Sequence, residues 1–341
     1  MGHFWNLKVT SVCWTFLSDS KIVILNLILM VLFSTGFFYG GRECVCVEEL
    51  VQRISGPIDG EDPLVVELVR EKHLQQPSHL PYNLSTVPMY QLRKRLDSWG
   101  YIHSFVSTLF EGYYGGVFVE SGALDGEYLS NTLWLEQELS WTGLLVEPDP
   151  HSYRQLTFKH RKAWSSNTCL SRTTYPHESI HVGLRLNGDY IGNIWDYRGS
   201  SHLQGVTLEP IFDSFLSKSQ ESYHSVQCFP LVTYLRALNM TSVDLLVLDM
   251  QSVEKDVLRA LFTTPLDIII RVIVVEITSK RPDPDFEGVM TRAGYNCVNS
   301  DTQGLDRLYI RKNDPIYNKL KMYVSLDETT TSDTISPGGN Y

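Results

Sequence analysis

The 341-residue chain has little of what marks a nucleic-acid binder, a disulfide-framed miniprotein or a cysteine-built metal centre. Lys and Arg number 29 against 39 Asp and Glu, a formal net charge of −10. That balance offers no basic face to track a phosphate backbone, and no nucleic-acid partner is expected. Six cysteines are too few and too scattered for a disulfide framework. No Cys-x-x-Cys pair occurs, and Cys44-Val45-Cys46, with one intervening residue, is a poor zinc clip. His151, His160, His181 and His202 show no ligand spacing and are expected on the surface or in loops, so no metal is expected. Neither a Ser-His-Asp nor a Cys-His arrangement is discernible, and there is no internal repeat.

What is present begins with Ile22 to Gly41, an uncharged run of about 20 residues bounded by Lys21 and Arg42, long enough to cross a bilayer as a helix. A soluble core helix rarely runs so far without a polar face. A cleaved signal peptide is the competing reading, because Ser34 and Gly36 are small residues after an apolar run. Against it stand the extended leader and an apolar segment longer than the usual 7–15 residues. The basic residues on either side nearly balance. A short N-terminus and a large C-terminal part favour a type II anchor in the lipid bilayer. Residues 1–21 would then be cytoplasmic, and the rest luminal. The sequons Asn83-Leu84-Ser85 and Asn239-Met240-Thr241 are compatible with that orientation. Residues 42–85, with Pro57, Pro63, Pro77 and Pro81, read as a stalk, with a short helix at Pro63 to His73. Tyr90 to Trp99 reads as an amphipathic helix with a basic face at Arg93, Lys94 and Arg95. Residues 313–341 form an extension with a disordered Thr-rich tail from about residue 325.

Residues 86–312 alternate strands and helices. Strands are expected at 117–121, 143–147, 163–171, 243–249, 268–277 and 305–311. Helices are expected at 127–139, 150–159, 231–238, from a Ser252 cap to Phe262, and at 285–294. The nearly unbroken β-branched run Ile268 to Ile277 suits a strand buried on both faces. Residues 172–224 read as an antiparallel excursion or a long loop. This is an α/β pattern, a Rossmann-like, mostly parallel sheet with helices on both faces behind one N-terminal membrane helix.

Within it, Val117-Phe-Val-Glu-Ser-Gly-Ala-Leu-Asp-Gly-Glu127, answered by Leu144-Leu-Val-Glu-Pro148, has the βαβ geometry by which a parallel sheet holds an adenosine group. Gly122 and Gly126 permit a tight turn and close ligand approach. Glu147, about 25 residues past the first glycine, stands where an acid hydrogen-bonds both ribose hydroxyls. Glu120 ends a strand at the same edge, as a cofactor neighbour or as the cap of a turn. S-adenosylmethionine is the cofactor this pattern fits.

Phe118 to Leu133, Trp141 to Pro148, Val226-Gln-Cys-Phe-Pro-Leu231, Val243 to Met250 and Gly294-Tyr295 together resemble the FkbM-type methyltransferase domain, over roughly residues 85–312. The first block with the N-terminal anchor is most similar to the Star branch of that family. That resemblance implies a methyltransferase fold in a membrane protein of the endoplasmic reticulum and Golgi, with endosome and plasma membrane beyond. There it would move membrane cargo such as growth-factor precursors in vesicles. The alternative it implies is an S-adenosylmethionine-dependent O-methyltransferase acting on a sugar or similar hydroxyl. The family's familiar Asp-x-Glu-Gly-Ala-Glu stands here as Asp249-Met-Gln-Ser-Val-Glu254. Asp249 and Glu254 are the remaining catalytic candidates, since Gln251 cannot serve as a general base. For Glu254 a favourable charge at a helix start is the stronger reading. Among Cys169, Cys228 and Cys297, an oxidising lumen would favour a Cys169–Cys228 bridge, with three buried thiols the competing reading.

Overall fold

The computed structural model describes residues 57–85, 97–186, 201–206, 219–263, 267–276, 283–300, 306–317 and 319. The expected anchor at 22–41, the basic residues 93–95 and the tail lie outside them. Among the described residues no helix is long and apolar enough to cross a membrane.

The helices are α1 (Pro63–Leu68, continued by a π-helical turn Val69–His73), α2 (Asp97–Leu109), α3 (Leu133–Leu139), α4 (Pro150–Phe158), α5 (Leu231–Ala237), α6 (Glu254–Leu261) and α7 (Pro284–Arg292). The strands are β1 (Val117–Ser121), β2 (Thr142–Val146), β3 (Trp164–Ser166), β4 (Cys169–Leu170), β5 (His177–Leu186), β6 (His202–Leu203), β7 (Ser219–Phe229), β8 (Ser242–Leu248), β9 (Ile269–Glu276), β10 (Tyr295–Ser300) and β11 (Asp306–Arg311). Seven of them form a sheet in the order β10-β11-β9-β8-β1-β2-β3. It is mixed, because β11 runs antiparallel to both β9 and β10 while β3, β2, β1, β8 and β9 are parallel neighbours.

Alternation along the strands feeds two cores. Val119, Leu144, Val146, Leu246, Leu248, Ile273 and Val275 pack on one face with Val65, Tyr234, Val257 and Phe286 of α1, α5, α6 and α7. Phe118, Leu145, Leu245, Val247, Val272 and Val274 pack on the other with Val106, Leu135 and Leu156 of α2, α3 and α4. Strands buried on both faces need helices on both faces, as a βαβ chain supplies.

Strand order reverses between β1 and β8. One direction runs on to β2 and β3, the other to β9. Such a point leaves a crevice beyond the carboxyl ends of the two strands, where ligands of open α/β sheets bind.

Several expectations change in detail. Residues 57–85 do not stand apart as a stalk. Val65 and Val69 are buried in the first core, and Gln75 bridges to Ser165. The helix expected from residue 127 starts only at Leu133. Asp125 Oδ1 accepts the Glu127 and Tyr128 N–H groups, and Ser130 Oγ accepts from Thr132 and Leu133. Short polar side chains there hold the backbone away from a helix. Ser252 is not the cap of α6. Val253 holds that position without a side-chain bond, and Ser252 sits at φ +81. The strand expected at 163–171 divides into β3 and β4, which belong to different sheets. An additional edge strand, β10, lies in a polar stretch that lacks a clear strand pattern.

The excursion is a second sheet, order β4-β7-β5-β6, built on a long antiparallel pairing of β5 with β7. Cys169 and Cys228 face each other across β4 and β7 and form a disulfide. Its 59-residue separation contributes about 4 kcal/mol by the loop-entropy argument. Cys297 is exposed and lies outside this disulfide.

Candidate active site

The crevice beyond β1, β8 and β2 is closed at its floor by Gly122. Its φ is +87, and an added Cβ would stand 1.7 Å from the Asp249 carbonyl oxygen. The Asp249 N–H donates to Ser121 O at 3.0 Å, so the chain leaving β8 runs against the chain leaving β1. Gly122 thus serves a backbone-to-backbone approach. Gly126, at φ +75, turns its open side toward Leu156 and Arg161 in the interior.

Glu147 follows β2 and is 5% exposed. Its two oxygens accept from the Leu124 N–H at 2.8 Å and the Asp149 N–H at 2.9 Å. Burial pushes its carboxyl up to about 8, helped by the Asp149 and Asp249 charges and opposed by those two N–H groups. A carboxylate has about four lone-pair sites, so two remain for ribose hydroxyls. Asn131, in the loop after β1, has a buried side-chain oxygen without a hydrogen-bond partner. The switch point, the acid with spare acceptor sites and this orphaned oxygen fit an adenosine-bearing cofactor.

Glu120 lies deeper. It accepts from Ser130 Oγ (2.9 Å), the Asn131 N–H (2.9 Å) and Thr132 Oγ1 (2.5 Å). Burial raises its carboxyl, and the nearby Arg161 guanidinium and these donors oppose the rise. Its geometry is that of a cap on the turn that leads into α3.

On the other side of the crevice, Asp249 leaves β8 exposed to solvent. Gln251 is 7% exposed, and its Nε2 lies 3.4 Å from Asp249 Oδ1 and 3.3 Å from Glu276 Oε2. Glu254, 2% exposed, accepts the Met250 N–H at 2.5 Å and closes the turn between β8 and α6. Burial, with the Asp249 charge added, pushes its carboxyl up to about 8. Glu276 is raised well above its usual range by burial and then by Asp249. Sequence reasoning missed Glu276, although the signal was present. Like Glu120 and Glu147, it is an acid at the carboxyl end of an apolar strand.

His181 is a second omission and a correction. It is 2% exposed on β5, paired across the strands with His224 of β7, rather than on the surface. Burial lowers its imidazole to about 4. His181 Nδ1 and His224 Nε2 are buried without partners. They share the alternating face of Val226 and Cys228, which packs with Val253 and Met250. Only the pairing register reveals this, so four histidines without sequence spacing gave no signal. Among the described residues no group of three or more His, Cys, Asp or Glu is placed to hold a metal ion. A cleft lined by Tyr113, Asp244, Arg271 and Asp314 lies at the opposite edge of the sheet, by the start of β8, away from these groups.

No curated protein matches the chain. Among solved structures it is similar to a TehB-like SAM-dependent methyltransferase from Corynebacterium glutamicum, at 11% identity and TM-score 0.30, over 66% of this chain and 98% of that one. It is also similar to a phosphoethanolamine N-methyltransferase from Haemonchus contortus, in complex with phosphoethanolamine and S-adenosylhomocysteine. There the identity is 12% and the TM-score 0.29, over 65% of this chain and 43% of that one. The methyltransferase FkbM domain matches residues 120–297, just over half of the chain, from the first acid of the crevice to β10. The chain belongs to the FkbM methyltransferase family.

Proposed function

We propose that this domain is an S-adenosylmethionine-dependent methyltransferase whose cofactor lies across the carboxyl ends of β2, β1 and β8. Glu147 carries the reading: a buried acid at the end of β2, with two acceptor sites unused and the β1–β8 switch point beside it. Bound there, the cofactor supplies an electrophilic methyl group. The chain's own part is orientation. Glu147 receives the ribose hydroxyls, the loop over Gly122 lets the backbone pass close, and the second sheet packs on the turn after β8 through Val253 and Met250. Fixing two reactants in one geometry provides most of the acceleration in such a transfer. Asp249, exposed at the acceptor side, is the group placed to take a proton from the acceptor.

Glu147→Gln is expected to weaken S-adenosylmethionine binding at least tenfold in calorimetric titration. At about pH 9, above the raised Glu147 carboxyl, it replaces a charge-assisted acceptor of about 1.5–3 kcal/mol per bond with a weaker one. Unchanged affinity in a folded variant would remove the ribose role. Wild-type protein that shows no binding at millimolar cofactor would sink the methyl-transfer reading as a whole.

A second reading is the membrane-anchored trafficking protein that the Star resemblance implies, residing in the endoplasmic reticulum and Golgi and carrying a growth-factor-precursor type of cargo. The Cys169–Cys228 disulfide supports its luminal orientation, because such bonds persist in oxidising compartments. The uncharged run at 22–41 supports the anchor. Protease added to intact microsomes is expected to spare the domain and to digest it only after detergent. Digestion without detergent would overturn the luminal placement.

A further inference from the structure

The turn after β8 holds two successive residues in the left-handed region, Gln251 at φ +58 and Ser252 at φ +81. Neither is glycine, and an ordinary residue adopts such a conformation only at a cost. It persists only where surrounding structure enforces it, and such sites cluster where ligands are handled. Here it places the Gln251 amide against Asp249 and Glu276, with Nε2 toward both carboxylates. The other end of the amide, Oε1, is buried and has no hydrogen-bond partner. A buried acceptor without a donor is costly unless something else supplies one.

The surroundings are acidic. Glu276 pairs in register with Asp306 at the start of β11, and Glu254 sits behind the turn. The ion pairs formed by neighbouring cations go elsewhere, Lys255 to Asp283 and Arg307 to Glu287. The edge of β8, β9 and β11 therefore gathers carboxyl groups that resist one another's ionisation, as the raised Glu254 and Glu276 carboxyls show, and a bound cation would relieve that repulsion. No metal-ligating group is formed there among the described residues. A primary ammonium, with three donors and no acceptor, is the complement of Asp249, Gln251 Oε1 and Glu276.

We infer that the Asp249–Gln251–Glu276 edge is an acceptor subsite that binds a positively charged amine group of the methyl-accepting molecule. That the bound molecule is the methyl acceptor rests on the methyltransferase reading, but the amine site is a property of the three side chains themselves. A neutral sugar would leave that repulsion in place, whereas an ammonium favours the ionised form of Glu276 beside Asp249 and donates to the orphaned oxygen.

The test is binding of 1,4-diaminobutane against its neutral isostere 1,4-butanediol, measured by calorimetry or ligand-observed NMR on the full chain at low ionic strength. S-adenosylmethionine is titrated separately. The diamine is expected to bind at least tenfold more tightly than the diol. Asp249→Asn and Glu276→Gln should each weaken the diamine fivefold or more. Glu138→Gln, which removes an exposed acid on α3, should leave it unchanged. Equal binding of diamine and diol overturns the proposal. So does equal loss in the Glu138 variant, because the attraction would then be general to an acidic protein. Gln251→Leu keeps a similar volume without the amide and should also weaken the diamine, and an unchanged affinity there would count against the role of Oε1. Cofactor binding without diamine binding sinks the amine subsite alone. Diamine binding without cofactor binding sinks the methyltransferase reading and leaves the subsite standing.

Discussion

Gly122→Ala is expected to abolish S-adenosylmethionine binding and to destabilise the domain by about 3 kcal/mol or more, a size reserved for substitutions with a definite steric cause. The cause is definite. The new methyl group would stand 1.7 Å from the Asp249 carbonyl oxygen, a backbone atom that no rotamer change can move aside. The backbone at Gly122 is also at φ +87, which a side chain disfavours independently of space. Relief requires the ends of β1 and β8 to part, breaking the 3.0 Å bond from the Asp249 N–H to Ser121 O. That separates the two sides of the crevice, with Glu147 on one and Asp249 on the other. Urea denaturation followed by cofactor titration checks both effects. A variant with wild-type stability and affinity would show that the strands tolerate separation, and the description of the crevice floor would be wrong. Gly126→Ala should be milder, because its nearest contact, at 3.0 Å, is the Leu156 side chain, which can shift.

These two glycines show what sequence could and could not tell. Both were legible as turn glycines, since only glycine takes such φ values cheaply. What each turn approaches is a tertiary fact. Gly122 meets the backbone after β8, more than a hundred residues later in the sequence, and Gly126 meets α4. The parallel sheet was legible for a related reason. Apolar strands buried on both faces carry a continuous signal, as in β8 and β9, and helices of the right length lie between them. Elements whose stability comes from partners were less legible. The residues 127–132 have helix-like composition, yet Asp125 and Ser130 take up their N–H groups. The histidines of the second sheet acquire meaning only when β5 and β7 pair and place His181 opposite His224. Glu276 was legible by the same rule as Glu147, an acid closing an apolar strand. No glycine turn stands near it to single it out.

Arg161→Met is expected to cost about 3–5 kcal/mol, the usual consequence of removing one partner from a buried ion pair. Arg161 is 3% exposed and lies outside every motif of the family resemblance. Its Nε donates to Glu136 Oε2 at 3.1 Å, Nη1 to Ser130 Oγ at 3.3 Å and to Gly126 O, and Nη2 to Thr132 Oγ1 at 3.1 Å. One guanidinium thus ties α3 to the loop that carries both Gly126 and the cap of Glu120. Methionine fills the volume but leaves Glu136 charged in the interior with only Tyr82 and the Lys162 N–H as donors. It also removes the charge that opposes protonation of Glu120. Lysine would keep the charge but not the planar fork of five donors, so Arg161→Lys should recover less than half of the loss. Glu136→Gln combined with Arg161→Met should cost clearly less than the two single changes added together, because the double variant buries no unpaired charge. Chemical denaturation of the four proteins supplies the cycle. Strict additivity would mean that the two side chains do not act as a pair. A loss under 1 kcal/mol for Arg161→Met would mean that the loop over β1 is held by its own capping bonds, with Arg161 a bystander among them.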